Sequence, residues 1–172
     1  TEPNRRAYRN LLFTTEGMEE FIGGVILFDE TIRQRADDGT PFPELLAAKG
    51  VVPGIKVDTG AHALAGAPGE TITEGLDGLR KRLAEYHDLG ARFAKWRATL
   101  SVGDRLPSRY CVRVNAQALA RYAALCQEAG IVPIVEPEVL MDTDHSIDAC
   151  YDATARTLQA LYAELAAQRV DL

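Results

Sequence analysis

The sequence predicts an α/β protein built on a parallel β-sheet. Amphipathic helical segments alternate with short runs rich in Val, Ile and Phe, in the order of one helix followed by four strand–helix units. Strands that are separated by helices pair in parallel through right-handed crossovers. Polar side chains lie toward the carboxyl ends of these strands, where α/β proteins bind their ligands. The same pattern therefore predicts both the fold class and the position of a candidate site.

The first half of the chain is predicted to contain two helices and two strands. Apolar residues at helical spacing predict a helix over residues 4–13. The continuous β-rich run 21–28 predicts a strand that is buried on both faces. One proline opens a short helix over residues 43–48, and another precedes a strand over 54–58. Residues 60–74 are predicted to be a long loop, which in a compact domain is usually functional or disordered.

The second half continues the alternation with three helices and two strands. Leucines at helical spacing predict a helix over residues 76–89, which a glycine ends. Strands are predicted over 93–100 and 131–140. Two helices are predicted from their N-caps, with Asn115 starting a helix to residue 129 and Ser146 starting one to about residue 167.

Composition and charge narrow the class of protein. The 172 residues are 47% hydrophobic, which is enough for a sizeable core. The formal net charge of −6 argues against broad affinity for nucleic acids or membrane surfaces. Three cysteines without metal-like spacing are typical of free thiols in a reducing compartment. No secretory signal or membrane-spanning apolar run is visible, so we expect a cytoplasmic protein.

Lys95 and Arg97 form the first candidate pair for a functional site. They are two residues apart in a predicted strand, so their side chains share one face while Trp96 points to the other. A lysine and an arginine that project together suit a phosphate group or a polarised oxygen. The alternative is an ion pair with an acidic residue of the next strand.

Glu136 and Glu138 form the second candidate pair. They share a face, with Pro137 between them. Proline removes a hydrogen-bond donor from a sheet, so the strand is expected to end or bulge there. Two close carboxylates do not both ionise easily, which raises one pKa and places an acid beside a base. The alternative is that each carboxylate pairs with a neighbouring lysine.

Two weaker patterns complete the candidate residues. Lys56 and Asp58 share a face of their strand, either as part of the site or as a local ion pair. Asp142, Asp144 and His145, with Glu138, could supply hard metal ligands, but their spacing fits no strict metal loop. A solvated loop before the last helix is the preferred interpretation of this cluster, so no metal site is predicted.

At this point the motifs resemble those of class I fructose-bisphosphate aldolase over essentially the whole chain. Each motif is modest alone, but the set is specific. The segments that carry the resemblance are Ile22–Phe28, Ala36–Gly39, Gly54–Asp58, Gly75–Gly78, Phe93–Arg97, Leu119–Tyr122 and Gly130–Glu138.

The resemblance implies a (β/α)8 TIM barrel, of which residues 1–172 would form one incomplete domain covering about strands two to five with their helices. It also implies reversible aldol cleavage of fructose 1,6-bisphosphate to dihydroxyacetone phosphate and glyceraldehyde 3-phosphate, in glycolysis and gluconeogenesis. This chemistry uses a lysine Schiff base and needs no metal or other cofactor. The implied partners are a phosphorylated sugar substrate and further copies of the complete enzyme in a homotetramer, with no nucleic acid and no membrane.

The resemblance also assigns roles to the candidate residues. Glu136 is expected to be the acid and base for Schiff-base formation and dehydration, and Glu138 to hold the lysines charged and oriented. Lys95 is expected to help polarise the bond that breaks. Lys56 and Arg97 are expected to contact the substrate or its phosphates.

Two departures from the family pattern affect these expectations. The family's Schiff-base lysine lies in a Glu-Gly-x-Leu-Leu-Lys-Pro stretch of the sixth strand, and none of the four lysines here occupies that position. The family's first strand, with its catalytic aspartate, is expected to precede Thr1, and Thr59 stands where many relatives have another lysine. We therefore expect the isolated chain to be inactive. The alternative function is a non-catalytic α/β module that binds a phosphorylated ligand or a protein partner, and a metal-dependent lyase is a third, weaker possibility.

Overall fold

A computed structural model describes residues 1–172 and contains a four-stranded parallel sheet and a two-stranded antiparallel hairpin. The strands are β1 (Gly24–Leu27), β2 (Val52–Lys56), β3 (Gly60–Ala63), β4 (Thr71–Glu74), β5 (Phe93–Leu100) and β6 (Val132–Val139). The order across the larger sheet is β1-β2-β5-β6, and every neighbouring pair is parallel. The predicted α/β class with a parallel sheet is confirmed.

Six helices connect and cover these strands, with a short 3₁₀ turn at Met18–Glu20. They are α1 (Glu2–Thr14), α2 (Asp29–Ile32), α3 (Phe42–Ala48), α4 (Leu79–Asp88), α5 (Arg109–Glu128) and α6 (Ile147–Ala167). The hydroxyl of Ser146 accepts a hydrogen bond from the Ala149 amide at the start of α6, so this predicted cap is confirmed. None of the helices combines the length and the apolar character needed to cross a membrane.

The helices pack against one face of the parallel sheet and leave the other face open. In β5 the residues of the helix-facing side are buried, and the residues between them are partly exposed. Trp96 is fully buried there and packs on Tyr122 of α5, with ring centroids 5.4 Å apart. Burial of large aromatic side chains contributes strongly to stability. The face that carries Trp96 is therefore the core face, and its opposite carries the polar residues.

The first strand differs from its prediction. The run 21–28 was expected to be buried on both faces, but β1 begins at Gly24 and only Leu27 within it is buried. Phe21, Ile26 and Phe28 are 84%, 39% and 57% exposed. The prediction was wrong because a continuous apolar run does not reveal whether a second layer covers the sheet, and here helices cover only one face.

The predicted N-cap of the fifth helix is also wrong. The helix begins at Arg109, and Ser108 caps it by accepting a hydrogen bond from the Cys111 amide. Asn115 lies inside the helix and is 2% exposed. Its side-chain amide donates to the carbonyl of Thr71 at 2.8 Å, and its side-chain oxygen accepts from the Thr73 amide at 3.3 Å. A good capping residue is used here for a tertiary contact, which no local pattern reveals.

Residues 60–74, predicted to be a long loop, contain the antiparallel hairpin of β3 and β4. Gly60 pairs with Glu74 and Ala63 with Thr71. Each of its two strands is only four residues long, so the sequence carries little β periodicity. Its strand β4 contacts β5 and α5, so the segment is an ordered structure docked beside the sheet.

Proline 137 neither ends nor bulges the last strand, contrary to expectation. The β5–β6 pairing continues without interruption from Val132 to Val139, with Pro137 opposite Ala98. The amides of Val132 and Leu140 both donate to carbonyl groups of the chain at β5, so the even-numbered residues of β6 point their backbone N–H groups toward β5. The missing N–H of Pro137 therefore lies on the outer edge of the sheet, where it removes no hydrogen bond from the ladder.

The three cysteines are free thiols, as predicted. Cys111 and Cys126 are buried in the helical layer. Burial raises the pKa of the Cys111 thiol to about 11, and it raises the pKa of the Cys126 thiol to about 12. Both therefore stay protonated at neutral pH and act as small core residues.

Candidate functional site

All five predicted site residues meet on the open face of the parallel sheet. Lys56 ends β2, Lys95 and Arg97 lie on β5, and Glu136 and Glu138 lie on β6. Adjacent strands lie about 4.8 Å apart, so side chains on one face of three neighbouring strands form a single cluster. The structure thus brings together residues that are up to 82 positions apart in the sequence, from 56 to 138.

Lys95 and Glu136 form the centre of this cluster. The Lys95 ammonium nitrogen lies 2.9 Å from Oε2 of Glu136, and both side chains are partly buried. At that distance the charges attract strongly, but the same Oε2 atom is buried and has no hydrogen bond of acceptable geometry. The contact is therefore an ion pair whose geometry is not that of an aligned hydrogen bond.

Arg97 and Glu138 form the second pair across the same two strands. The Arg97 guanidinium Nε donates to Oε2 of Glu138. This hydrogen bond is the main cause that lowers the pKa of Glu138 and raises the pKa of Arg97. One carboxylate of the Glu136–Glu138 pair was expected to have a raised pKa, but the pKa of Glu138 is lowered.

Lys56 forms its pair within its own strand end. Its ammonium group donates to Oδ1 of Asp58, whose side chain is only 2% exposed. Asp58 also accepts from the amide of Gly60 at 3.2 Å and from the amide of Arg97 at 3.3 Å. The local ion pair is present, and in addition Asp58 joins the end of β2 to the backbone of β5.

Each cation of the cluster is thus paired with a carboxylate. The three pairs are Lys56–Asp58, Lys95–Glu136 and Arg97–Glu138. Ion pairing, the alternative considered for each motif, is therefore present at all three positions. Each pair uses only part of the N–H donors of its cation, so an anionic ligand can bind a cation that stays paired.

An aromatic ring that the sequence analysis did not single out forms the floor beside this cluster. Phe93 is on the same face of β5 as Lys95, and its ring lies over two glycines of the neighbouring strands. A Cβ atom on Gly54 would lie 2.3 Å from the ring, and one on Gly24 would lie 3.1 Å from it. A glycine in each of two neighbouring strands was the available signal that something packs closely there.

The acidic loop before α6 does not form a metal site. No group of three or more His, Cys, Asp or Glu side chains is arranged to hold a metal ion. His145 contacts Thr143 through Nδ1, and Ser146 caps the helix that follows. Residues 142–145 therefore form a loop that leads into α6, as the preferred interpretation had it.

Comparison with known families identifies the chain. The family described as glycolytic, fructose-bisphosphate aldolase class-I, matches residues 1–172. The chain belongs to this aldolase family. The resemblance that the motifs carried is therefore confirmed over the whole sequence.

Relatives of this aldolase-family chain occur in bacteria and plants. It is 61% identical over 172 residues to a probable fructose-bisphosphate aldolase class 1 of Xanthomonas campestris, covering 100% of this chain and 52% of that protein. It is 54% identical over 169 residues to the cytosolic fructose-bisphosphate aldolase 6 of Arabidopsis thaliana, covering 98% of this chain and 47% of that protein. The chain spans about half the length of the curated relatives it matches.

A solved aldolase has the same fold. The fructose-bisphosphate aldolase of Plasmodium falciparum, solved in complex with TRAP and a small molecule inhibitor, superposes with a TM-score of 0.91 at 44% identity. The match covers 94% of this chain and 47% of that chain. The four parallel strands of the aldolase-family chain are therefore neighbouring strands of a TIM-barrel architecture, as expected, and the open face corresponds to the barrel interior.

Proposed function

We propose that this chain is part of a class I fructose-bisphosphate aldolase that cleaves fructose 1,6-bisphosphate reversibly through a lysine Schiff base. The observation that carries the proposal is the cluster of Lys56, Lys95, Arg97, Glu136 and Glu138 on one face of three adjacent strands. Membership of the family supports the reaction class, and the cluster supplies residues of the types that this reaction needs.

In this proposal Glu136 moves protons during Schiff-base formation. A lysine amine attacks the ketone carbon to give a carbinolamine, and loss of water to the iminium requires a proton donor at the departing hydroxyl. The Glu136 side chain lies on the open face beside Lys95 and is 29% exposed, so its carboxyl group can reach a substrate that binds there. As the bond between C3 and C4 breaks, its electron pair moves to the iminium to give an enamine, and the C4 hydroxyl passes its proton to a base as it becomes the aldehyde.

Lys95 and Glu138 are proposed to hold the charged side chains of Glu136 and Arg97 in position. Lys95 has its ammonium group 2.9 Å from Oε2 of Glu136 and forms an ion pair with it. Its ammonium group also faces the open side of the sheet, where it can stabilise negative charge that develops on a substrate oxygen. Glu138 holds the Arg97 guanidinium by a hydrogen bond and completes the balance of charge.

Lys56 and Arg97 are proposed to contact the substrate or its phosphate groups. Arg97 is the more exposed of the two, with 43% of its side chain accessible against 27% for Lys56. A guanidinium binds a phosphate through two parallel hydrogen bonds, whereas an ammonium group acts as a point charge. The hydrogen bond to Glu138 uses Nε, so the two Nη groups of Arg97 remain able to donate to a phosphate.

Trapping of the Schiff base tests the proposal. The complete enzyme that contains this chain is treated with dihydroxyacetone phosphate and borohydride, and the reduced adduct is located by peptide mass mapping. We expect one adduct per subunit on a lysine outside residues 1–172, where the family's Schiff-base lysine is expected. An adduct on Lys56 or Lys95 would mean that the roles given above are wrong, and no adduct at all would contradict Schiff-base chemistry.

The proposal extends to the whole protein. Residues 1–172 would form a contiguous part of one barrel domain, and the 172-residue chain alone would be inactive. A cytoplasmic location is supported by relatives that carry the words cytosolic, in Arabidopsis thaliana, and cytoplasmic isozyme, in Spinacia oleracea. A homotetramer is proposed from the family resemblance, and sedimentation of the complete enzyme would test it.

A further inference from the structure

Strand β5 continues beyond β2, one of its two neighbours in the sheet, and on that side hydrogen bonds to side chains replace the backbone ladder. The β2–β5 register ends at Lys56 opposite Lys95, and the last backbone hydrogen bond runs from the Val57 amide to the Lys95 carbonyl at 3.1 Å. Arg97 and Thr99 lie beyond this point. Their backbone groups on the β2 side would be unpaired if only strands were available to bind them.

The backbone of Arg97 is instead held on both sides of its Cα atom. Asp58 accepts from its amide at 3.3 Å, and the hydroxyl of Thr73 donates to its carbonyl at 2.9 Å. One strand position further on, the hydroxyl of Thr71 donates to the carbonyl of Thr99 at 3.0 Å. The β3–β4 hairpin thus binds β5 through two threonine hydroxyls, and one of them contacts the residue that carries the Arg97 side chain.

The hairpin is itself fixed to the helical layer by buried polar groups. Asn115 of α5 binds the backbone of Thr71 and Thr73. The carboxylate of Glu70 is almost completely buried and accepts from both the amide and the hydroxyl of Ser108, at 2.7 Å and 2.6 Å. Hydrogen bonds of buried groups resist breaking, because an unpaired partner would remain in a dry environment. The hairpin is therefore a rigid support rather than a flexible loop.

We propose that Thr73 is a positioning residue for Arg97, acting through the hydroxyl that binds the Arg97 carbonyl. Arg97 is proposed to contact the substrate, so this inference rests on the proposed function for its catalytic consequence. At Arg97 the strand keeps its ladder to β6 but has none on the β2 side, so without a partner there its backbone could tilt about β6 and move the guanidinium. The hydroxyl of Thr73 removes that freedom at the residue where placement of the side chain matters.

The geometry separates this role from general support of the hairpin. Thr71 and Thr73 lie on the same strand, carry the same side chain and make the same type of bond to β5. Only Thr73 binds the backbone of Arg97. Thr71→Val is therefore a matched control for Thr73→Val, because both remove one hydroxyl from one short strand.

The first test is a double-mutant cycle in the complete enzyme. Thr73→Val should lower kcat/KM for fructose 1,6-bisphosphate about three- to tenfold, mainly by raising KM, as expected for loss of one hydrogen bond. Thr73→Ser, which keeps the hydroxyl, should recover most of this loss. In an Arg97→Ala background, Thr73→Val should change kcat/KM less than twofold. Equal losses in both backgrounds, or equal coupling of Thr71→Val to Arg97, would overturn the inference.

The second test does not depend on activity. The carboxylate titration of Glu138 is followed by NMR, because its midpoint reports how closely the Arg97 guanidinium approaches it. Thr73→Val should move this midpoint upward, while Thr71→Val should leave it in place. An unchanged midpoint in Thr73→Val would contradict the positioning role. A wild-type enzyme that fails to cleave the substrate would contradict the proposed function instead, and the NMR result would still decide whether Thr73 positions Arg97.

Discussion

The carboxylate of Glu136 lies 2.9 Å from the ammonium nitrogen of Lys95, yet its buried Oε2 atom takes part in no aligned hydrogen bond. The two residues are on neighbouring parallel strands and are not directly opposite in register, since Lys95 pairs with Ile134. The contact is therefore diagonal across the sheet, and it depends on both side chains reaching along the open face. The pair therefore places a carboxylate and an ammonium group side by side on the open face, where a general acid and base would have to lie.

Replacement of Glu136 by Gln in the complete enzyme tests its role directly. The amide keeps the size of the side chain but cannot exchange a proton, so kcat should fall by about 10²- to 10⁴-fold. Steady-state cleavage of fructose 1,6-bisphosphate measures this. Glu16→Gln, on the exposed loop after α1, is the matched control and should keep the wild-type rate. A wild-type rate in Glu136→Gln would rule out the assigned role.

The pKa of Glu138 should depend on Arg97. The hydrogen bond from the guanidinium lowers this pKa below its ordinary value of 4.5, so Arg97→Met should move it back toward that value. Because the folded-state pKa is depressed, the pair contributes stability above the ordinary pKa and loses it as the pH falls through the depressed one. NMR titration of the Glu138 carboxylate in both proteins checks the direction. A midpoint that does not rise in Arg97→Met would show that Arg97 is not the cause.

Loss of the Asn115 side chain should loosen the hairpin. Asn115→Ala leaves the amide of Thr73 without its side-chain partner and the carbonyl of Thr71 with only the Cys111 thiol, which costs about 1–3 kcal/mol for buried groups. The amide of Thr73 should therefore exchange with deuterium about tenfold faster or more. Gln117→Ala, two residues further along the same helix and on its exposed side, is the control. Equal exchange in both variants would mean that Asn115 does not hold the hairpin.

A methyl group at Gly54 should collide with the ring of Phe93. The added Cβ would lie 2.3 Å from the ring, so Gly54→Ala should destabilise the protein by about 1–3 kcal/mol, as overpacking does. Phe93→Leu removes the ring, and the Gly54→Ala substitution should then lower the melting temperature by much less. Thermal unfolding of the four proteins of this cycle measures the effect. Additive decreases would show that the ring is not what excludes a side chain from position 54.

Several features of the site were predictable because they are local. The period of two in a strand places Lys95 and Arg97 on one face and Trp96 on the other, and the structure confirms this. Ser146 caps the last helix, as its position before a helical pattern predicted. These features need only the residues of one element, so the sequence around them is sufficient.

Other features could not be predicted because distant residues decide them. Asn115 has the side chain of a helix cap, but it forms hydrogen bonds with the hairpin, which lies about 40 positions away in the sequence. The hairpin itself was expected to be a loop. Its two strands are too short to show a clear pattern, and its docking depends on contacts with β5 and α5 that the local sequence does not reveal. The expected break at Pro137 was wrong for a related reason. Proline interrupts a strand only if its N atom faces a paired strand, and the sequence does not show on which side of β6 the strand β5 lies.

The sequence by itself determined the alternation of helices and strands, the family and the residue types of the site, because periodicity and motifs are properties of contiguous residues. Only the tertiary structure decided that Lys95 meets Glu136, that Arg97 meets Glu138 and that Thr73 holds the Arg97 backbone. Each of these contacts depends on strand register and on the docking of a hairpin. Both are set by the packing of residues far apart in the chain, and no local pattern contains that information.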